Sequence, residues 1–153
     1  MQIVLYQPQI PQNTGNIVRT CSVTGNDLRL IEPLGFSITD RWLKRSGLDY
    51  WEGVDVQVLD NLENYLEKTT HPFYFFSSKA TRPYSSLIFT PHDILIFGSE
   101  TDGFSNSNFF QRWPDRFAQI PMLPGARCLN LATSVGIVVY EASRQNEFKF
   151  QSR

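Results

Sequence analysis

Cysteine is scarce: Cys21 and Cys128 are the only two in 153 residues, too few and too far apart for a disulfide framework or a CxxC metal site. A reducing compartment follows, so the expectation is a cytoplasmic protein with no metal. Long hydrophobic runs are missing as well. The opening run Ile3-Val4-Leu5-Tyr6 is broken within a handful of residues and no basic leader precedes it, so neither a membrane span nor a secretion signal is expected. Charge of one sign is not in excess either: 14 Lys and Arg stand against 15 Asp and Glu. That balance excludes a protein that coats nucleic acid by bulk positive charge, while leaving room for a local basic patch. Finally, no GxGxxG follows the first apolar run, and GxxxxGK[ST] and GxSxG are absent, which removes the usual support for dinucleotide, nucleoside-triphosphate and serine-hydrolase chemistry.

What the chain does have is apolar area, with 41% hydrophobic and 14% aromatic residues, enough for one core and one domain spanning residues 1–153. Apolar runs of strand length recur at Ile3–Tyr6, Leu28–Ile31, Val54–Leu59, Phe73–Phe76, Ile94–Phe97 and Phe117–Ile120. Most are continuous rather than alternating, the mark of strands covered on both faces, and this predicts an α/β fold with a mostly parallel sheet between helices. Helical stretches are expected from Asn13 or Thr14 to Gly25, from Thr39-Asp40 through Leu48, from Asn61 through Glu67, from Ser105 or Asn106 to Pro114, and from Asn130 to Asn146. In the last, Leu131, Val135, Val138, Val139 and Ala142 form one apolar face, and Ile137 and Tyr140 fall on another. A second apolar side calls for a partner surface, and a homodimer supplies it.

Three segments place polar or glycine residues directly after a strand, where open α/β sheets hold their ligands. The first, Pro8 to Arg19, offers Asn13 and Thr14 as caps, Gly15 for close approach, and a helix N-terminus with Arg19 one turn or more beyond it; it is either a plain capped helix or an anion site. The second, Ile94 to Phe104, is either a tight turn with a solvated acid or a ligand site in which Gly98 permits a flat ligand to come close and Glu100 accepts hydrogen bonds from that ligand or from nearby backbone. The third, Ile120 to Val135, combines Met122, Leu129, a Pro/Gly loop and Asn130 into an apolar slot with backbone donors and acceptors, a shape that suits adenine. Cys128 in this segment is either a small buried residue or part of the slot. His71 and His92, each beside a proline, read as exposed loop histidines.

Taken together, the ordered motifs resemble the TrmL (YibK) family of the SPOUT superfamily over nearly the whole chain. The matching stretches are Ile3-Val4-Leu5-Tyr6, Asn13-Thr14-Gly15-Asn16-Ile17-Val18-Arg19, Ile31-Glu32-Pro33-Leu34-Gly35-Phe36, Gly47-Leu48-Asp49-Tyr50, Phe97-Gly98-Ser99-Glu100-Thr101, Ile120-Pro121-Met122, Asn130-Leu131 and Val138-Val139-Tyr140-Glu141-Ala142. The resemblance implies a SPOUT-type α/β knot, with a carboxyl-terminal trefoil, working as a homodimer. It implies S-adenosylmethionine-dependent 2′-O-methylation of the wobble pyrimidine nucleotide of tRNA. On that basis the donor is expected at Phe76, Gly98, Glu100, Ile120, Met122, Cys128 and Leu129, catalysis at Arg19 with Asn13 and Asn16, and the dimer interface at Tyr140. Arg41, Lys44 and Arg45, spaced as on one helix face beside Trp42 and Trp51, become a tRNA surface. The chain departs from the family at Asp102, where arginine is common, at Cys128, where serine is common, and at Ala132-Thr133-Ser134. Those changes keep open a non-catalytic RNA- or nucleoside-binding member of the same fold.

Overall fold

The structure is a computed structural model that describes residues 1–39, 51 and 53–150. Six strands, β1 (Gln2–Tyr6), β2 (Asp27–Ile31), β3 (Val56–Leu59), β4 (Phe73–Phe76), β5 (Ile94–Phe97) and β6 (Phe117–Ala118), form one sheet in the order β3-β2-β1-β5-β4-β6. All of the pairings are parallel. Among the described residues the α-helices with stated bounds are α1 (Pro11–Thr24), α2 (Leu62–Lys68), α3 (Phe109–Arg112) and α4 (Leu131–Gln145).

Side chains alternate across a strand, so each continuous apolar run feeds two cores. Ile3, Leu5, Leu28, Leu30, Leu95 and Phe97 point to the face covered by α1 and α4, where Ile17, Val18, Cys21, Val135, Val138 and Val139 meet them. Val4, Ile31, Ile94, Ile96 and Phe75 point the other way, toward Leu62 and Leu66 of α2 and the aromatic group Phe104, Phe109 and Phe117. The second core is held by ring stacking, with Phe75 and Phe117 centroids 4.7 Å apart and nearly coplanar in direction. Arg29, buried on β2, donates to Asp55 Oδ2 at 2.8 Å and to the Asp55 carbonyl at 2.9 Å, so the charge is matched where the strand enters the sheet.

Four elements have a boundary two residues or more from expectation, among them β3, which starts at Val56 rather than Val54. Helix α1 begins at Pro11, two residues before the expected caps, because proline's fixed φ and missing N–H suit the first helical position. It ends as expected at Gly25, which takes a left-handed φ of 68°. Strand β6 ends at Ala118 rather than Ile120. Beyond it the chain changes neighbours: Gln119 donates to the Arg82 carbonyl at 2.8 Å and accepts from the Tyr84 N–H at 2.8 Å, so pairing passes from β4 to the segment after it. The helix expected before Pro114 is only the short α3, preceded by turns at Ser105 and Ser107. By contrast, Asn61 caps α2 by accepting from the Asn64 N–H at 2.8 Å, and Asn130 caps α4 by accepting from Ala132 and Thr133. The helix expected from Thr39-Asp40 through Leu48 lies, but for Thr39, outside the described residues.

Candidate active site

Four loops leave the carboxyl ends of the strands on one side of the sheet: those after β1, β4 and β5, and the long segment between β6 and α4. Neighbouring strands β1 and β5 send their chains to different parts of the sheet, and this is where an open α/β sheet leaves a crevice. Here the crevice is a cleft of about 680 Å³, within the range that holds a cofactor-sized molecule.

Its frame is a polar chain running across three loops. Glu100, just past β5, accepts from the Gln9 N–H at 2.8 Å, the Ile10 N–H at 3.0 Å and the Asn13 side-chain amide at 3.2 Å. Asn13 is buried, and its Oδ1 accepts from the Asn130 amide at 2.9 Å. Asn130 in turn caps α4. The anion anticipated at the start of α1 is therefore the protein's own carboxylate, which also opposes the helix dipole. No side chain caps the first turn of this helix; Glu100 instead holds the chain that enters it, through the Gln9 and Ile10 N–H groups.

Gly98 has a reason of its own. A Cβ there would stand 2.6 Å from the carbonyl carbon of Gly103 and 2.7 Å from its Cα, so the close approach it permits is by Gly103 backbone. Ser99 and Gly103 exchange both N–H···O bonds at 3.1 and 3.0 Å, and Gly103 has a φ of 56°. The turn that carries Glu100 and Asp102 is thus folded tightly back on the end of β5.

All of the residues expected at the donor line this one cleft: Phe76, Gly98, Glu100, Ile120, Met122, Cys128 and Leu129. Phe76 and Phe97 are buried beneath it, and Leu131 closes its apolar floor. Cys128 is exposed, contrary to its reading as a small buried residue, and its thiol donates to Ser78 Oγ at 3.4 Å; Cys21 is the cysteine in the core. Asn13 lines the cleft as well. Asn16 and Arg19 do not: both are exposed further along α1, with Arg19 about 9 Å beyond Asn13 along the axis. Tyr140 is exposed on α4. Arg41, Lys44 and Arg45 lie outside the described residues. The sequence reading did not assign Lys79, Ser105 or Gln111 to a site, yet they line the cleft too; nothing local marks them for it, since β4 and β5 alone bring their loops together. His71 and His92 are exposed, with rings stacked 5.7 Å apart. Among the described residues, no group of three or more His, Cys, Asp or Glu could hold a metal ion.

The SpoU rRNA Methylase family model matches residues 1–140. The chain belongs to that family. Members similar to it include the tRNA (cytidine(34)-2′-O)-methyltransferase of Methylovorus glucosotrophus, 42% identical over 147 residues that cover 95% of this chain and 96% of the relative. The tRNA (cytidine(34)-2′-O)-methyltransferase of Escherichia coli K12 is 40% identical over 146 residues, covering 95% and 93%. A solved structure concerned with 2-OH methylation of C/U34 on tRNA superposes with a TM-score of 0.88 at 40% identity, covering 95% of each chain. The SpoU methyltransferase AviRb of Streptomyces viridochromogenes, solved with AdoMet, shares the fold at a TM-score of 0.84 and 22% identity, over 96% of this chain and 58% of that one.

The cleft's donor set fits an adenosyl group. Apolar walls from Phe97, Ile120 and Leu129 suit a flat ring, the 120–130 segment offers backbone N–H and C=O groups, and the charged side chains in the lining are Lys79, Glu100 and Asp102.

Proposed function

We propose that the chain is a single S-adenosylmethionine-dependent catalytic domain that methylates the ribose 2′-OH of the pyrimidine nucleotide at position 34 of tRNA. The observation that carries this reading is the convergence of Gly98, Ile120 and Cys128 on one cleft framed by Glu100, Asn13 and Asn130. Support comes also from relatives named for that reaction that match nearly end to end.

When bound, S-adenosylmethionine supplies an electrophilic methyl on a sulfonium; the 2′-oxygen gains the methyl and loses its proton, and the sulfonium becomes a thioether. Alignment of oxygen, carbon and sulfur is then the main demand on the protein. Phe76, Gly98, Ile120, Met122, Cys128 and Leu129 hold the donor, largely through backbone groups and apolar contact. Glu100 and Asn13 fix the loops rather than the ligand, as their hydrogen bonds support. Arg19 clamps a phosphate or the developing oxyanion; a guanidinium protonated above about pH 12 is unsuited to take the proton. Asn16 steadies the same stretch of helix.

The working unit in this reading is a homodimer with Tyr140 at the interface. Exposed Tyr140 and Val23 on α4 and α1 support it, as does the distance of Arg19 from its own cleft, which a second copy overcomes. The 119–130 passage beside Arg82 and Tyr84 is read as part of a carboxyl-terminal trefoil. Arg41, Lys44 and Arg45 form the tRNA surface. In this reading the protein works in the cytoplasm, where its tRNA substrate is. No helix among the described residues is long and apolar enough to cross a membrane.

The test is incubation with methyl-labelled S-adenosylmethionine and bulk tRNA, followed by nucleoside analysis. Labelled 2′-O-methylcytidine or 2′-O-methyluridine is the expected product. Donor or tRNA binding without product would select the non-catalytic reading instead.

A further inference from the structure

The charged side chains that line the cleft are Lys79, Glu100 and Asp102. Glu100 is taken up by its three donors from residues 9–13, which nearly fill the acceptor sites of a carboxylate. That leaves one cation and one anion facing the cleft. They sit on a common rim: Lys79 Nζ donates to Ser105 Oγ at 2.9 Å, and the Ser105 N–H donates to the Asp102 carbonyl at 2.9 Å. Yet the two do not pair with each other, and neither belongs to any salt bridge among the described residues. Asp102 is steadied from its own turn, with its N–H donating to Ser99 Oγ at 3.2 Å and Thr101 Oγ1 donating to Oδ2 at 3.3 Å.

We propose that Lys79 and Asp102 bind the zwitterionic amino-acid end of the methyl donor, Lys79 taking the carboxylate and Asp102 the α-ammonium. The inference rests on the donor-site reading above and names residues for a part of the ligand that reading leaves unassigned. Ile120, Leu129 and Leu131 give the cleft apolar lining for the ring, and Lys79 and Asp102 are the charged groups that remain for the ligand's charged arm. A cation and an anion that line one cleft without pairing answer the two opposite charges of an α-amino acid. An RNA phosphate is the competing occupant of Lys79, and Asp102 on the same rim disfavours it by like-charge repulsion. Ser105 keeps the Lys79 ammonium in place, which lowers the entropy lost when a carboxylate docks.

Calorimetric titration of the whole protein with three adenosyl compounds tests this without relying on turnover. S-Adenosylhomocysteine carries both charges, decarboxylated S-adenosylmethionine lacks the carboxylate, and 5′-methylthioadenosine lacks the whole amino-acid arm. Lys79→Ala is expected to weaken S-adenosylhomocysteine about tenfold, the loss of one charge-assisted hydrogen bond, and to leave the other two compounds unchanged. Asp102→Asn is expected to weaken both compounds that carry the ammonium by about tenfold and to spare methylthioadenosine. Retained methylthioadenosine binding in each variant doubles as the check that the cleft is folded. Unchanged affinity for S-adenosylhomocysteine in both variants would overturn the assignment, and so would an equal loss for all three compounds. A Lys79→Ala protein that keeps S-adenosylhomocysteine but loses tRNA affinity would hand Lys79 to the RNA. If the wild-type protein binds none of the three, the donor-site reading itself fails and takes this assignment with it.

Discussion

Glu100 and Asn13, 87 residues apart in the chain, are joined by a hydrogen bond of 3.2 Å from the Asn13 amide to the Glu100 carboxylate. The same Asn13 accepts from Asn130, so the loop after β5, the start of α1 and the start of α4 hold one another. Distance along the sequence makes such a contact costly to form by loop closure, and charge assistance helps offset that cost.

Replacing Glu100 with Gln keeps the shape and breaks the frame. The two oxygens each face a backbone N–H, of Gln9 and Ile10, and an amide nitrogen in place of either oxygen sets a donor against a donor. A loss of about 1–3 kcal/mol is expected, visible as a lower midpoint in urea unfolding, together with weaker S-adenosylhomocysteine binding. An unchanged midpoint would remove Glu100 as the tie between these loops.

Gly98→Ala is a sharper test of the same turn. Because the added carbon meets Gly103 backbone at 2.6 Å, no side-chain rotation relieves it and the turn must shift. Overpacking of this kind costs about 1–3 kcal/mol. The shift also carries Asp102 and Glu100 with it, so affinity for the donor should fall alongside stability in the same titration.

How much of this was legible beforehand follows from where each interaction begins and ends. The strands were, because a parallel sheet covered on both faces turns into an unbroken apolar run, and Phe73–Phe76 and Ile94–Phe97 are found to the residue. Helix α4 was too, since its cap Asn130 is local. The start of α1 was placed two residues late because Asn13 and Thr14 were read as caps while Pro11 opens the helix with no side-chain cap. The end of β6 was misjudged because Gln119 changes partner, an event that leaves no mark on neighbouring residues. Gly98 was read as room for a ligand; it lines the cleft, and the backbone that comes close to it is that of Gly103. Lys79 stayed unnoticed for a similar reason, as its partner Ser105 is 26 residues away.

Arg19→Ala separates chemistry from donor binding. Arg19 is exposed and does not line the cleft of its own chain, so S-adenosylhomocysteine should bind the variant as it binds the wild type. Methyl transfer to tRNA should fall by about a hundredfold or more, as when one stabilising donor to a developing oxyanion is removed. Full activity in the variant would end its catalytic assignment.

Tyr140→Asp addresses the partner surface. Tyr140 is 49% exposed on α4 and Val23 is 55% exposed on α1, two apolar side chains that a second copy would cover. Introducing a carboxylate there leaves a charge to be buried without a partner, and the dimer should weaken by at least about tenfold. Sedimentation across a concentration series measures this. A wild-type protein that stays monomeric at micromolar concentration would contradict the homodimer directly.

The end of α4 sets an acid limit on the fold. Glu141 receives hydrogen bonds first from Arg144 and then from Gln145, and these hold its carboxyl down to about 2, against an ordinary value of 4.5. Gln145 is itself engaged with the Leu87 carbonyl at 3.0 Å and the Phe89 N–H at 2.8 Å, so Glu141 steadies a contact between α4 and the segment before β5. Between those two pH values the unfolded chain holds the proton and the folded chain does not. The contribution is therefore complete above about pH 4.5 and is lost as the pH falls toward 2. Glu141→Gln should flatten the dependence of unfolding free energy on pH across that window, while a curve identical to the wild type would show that the ion pair with Arg144 contributes nothing to stability in solution.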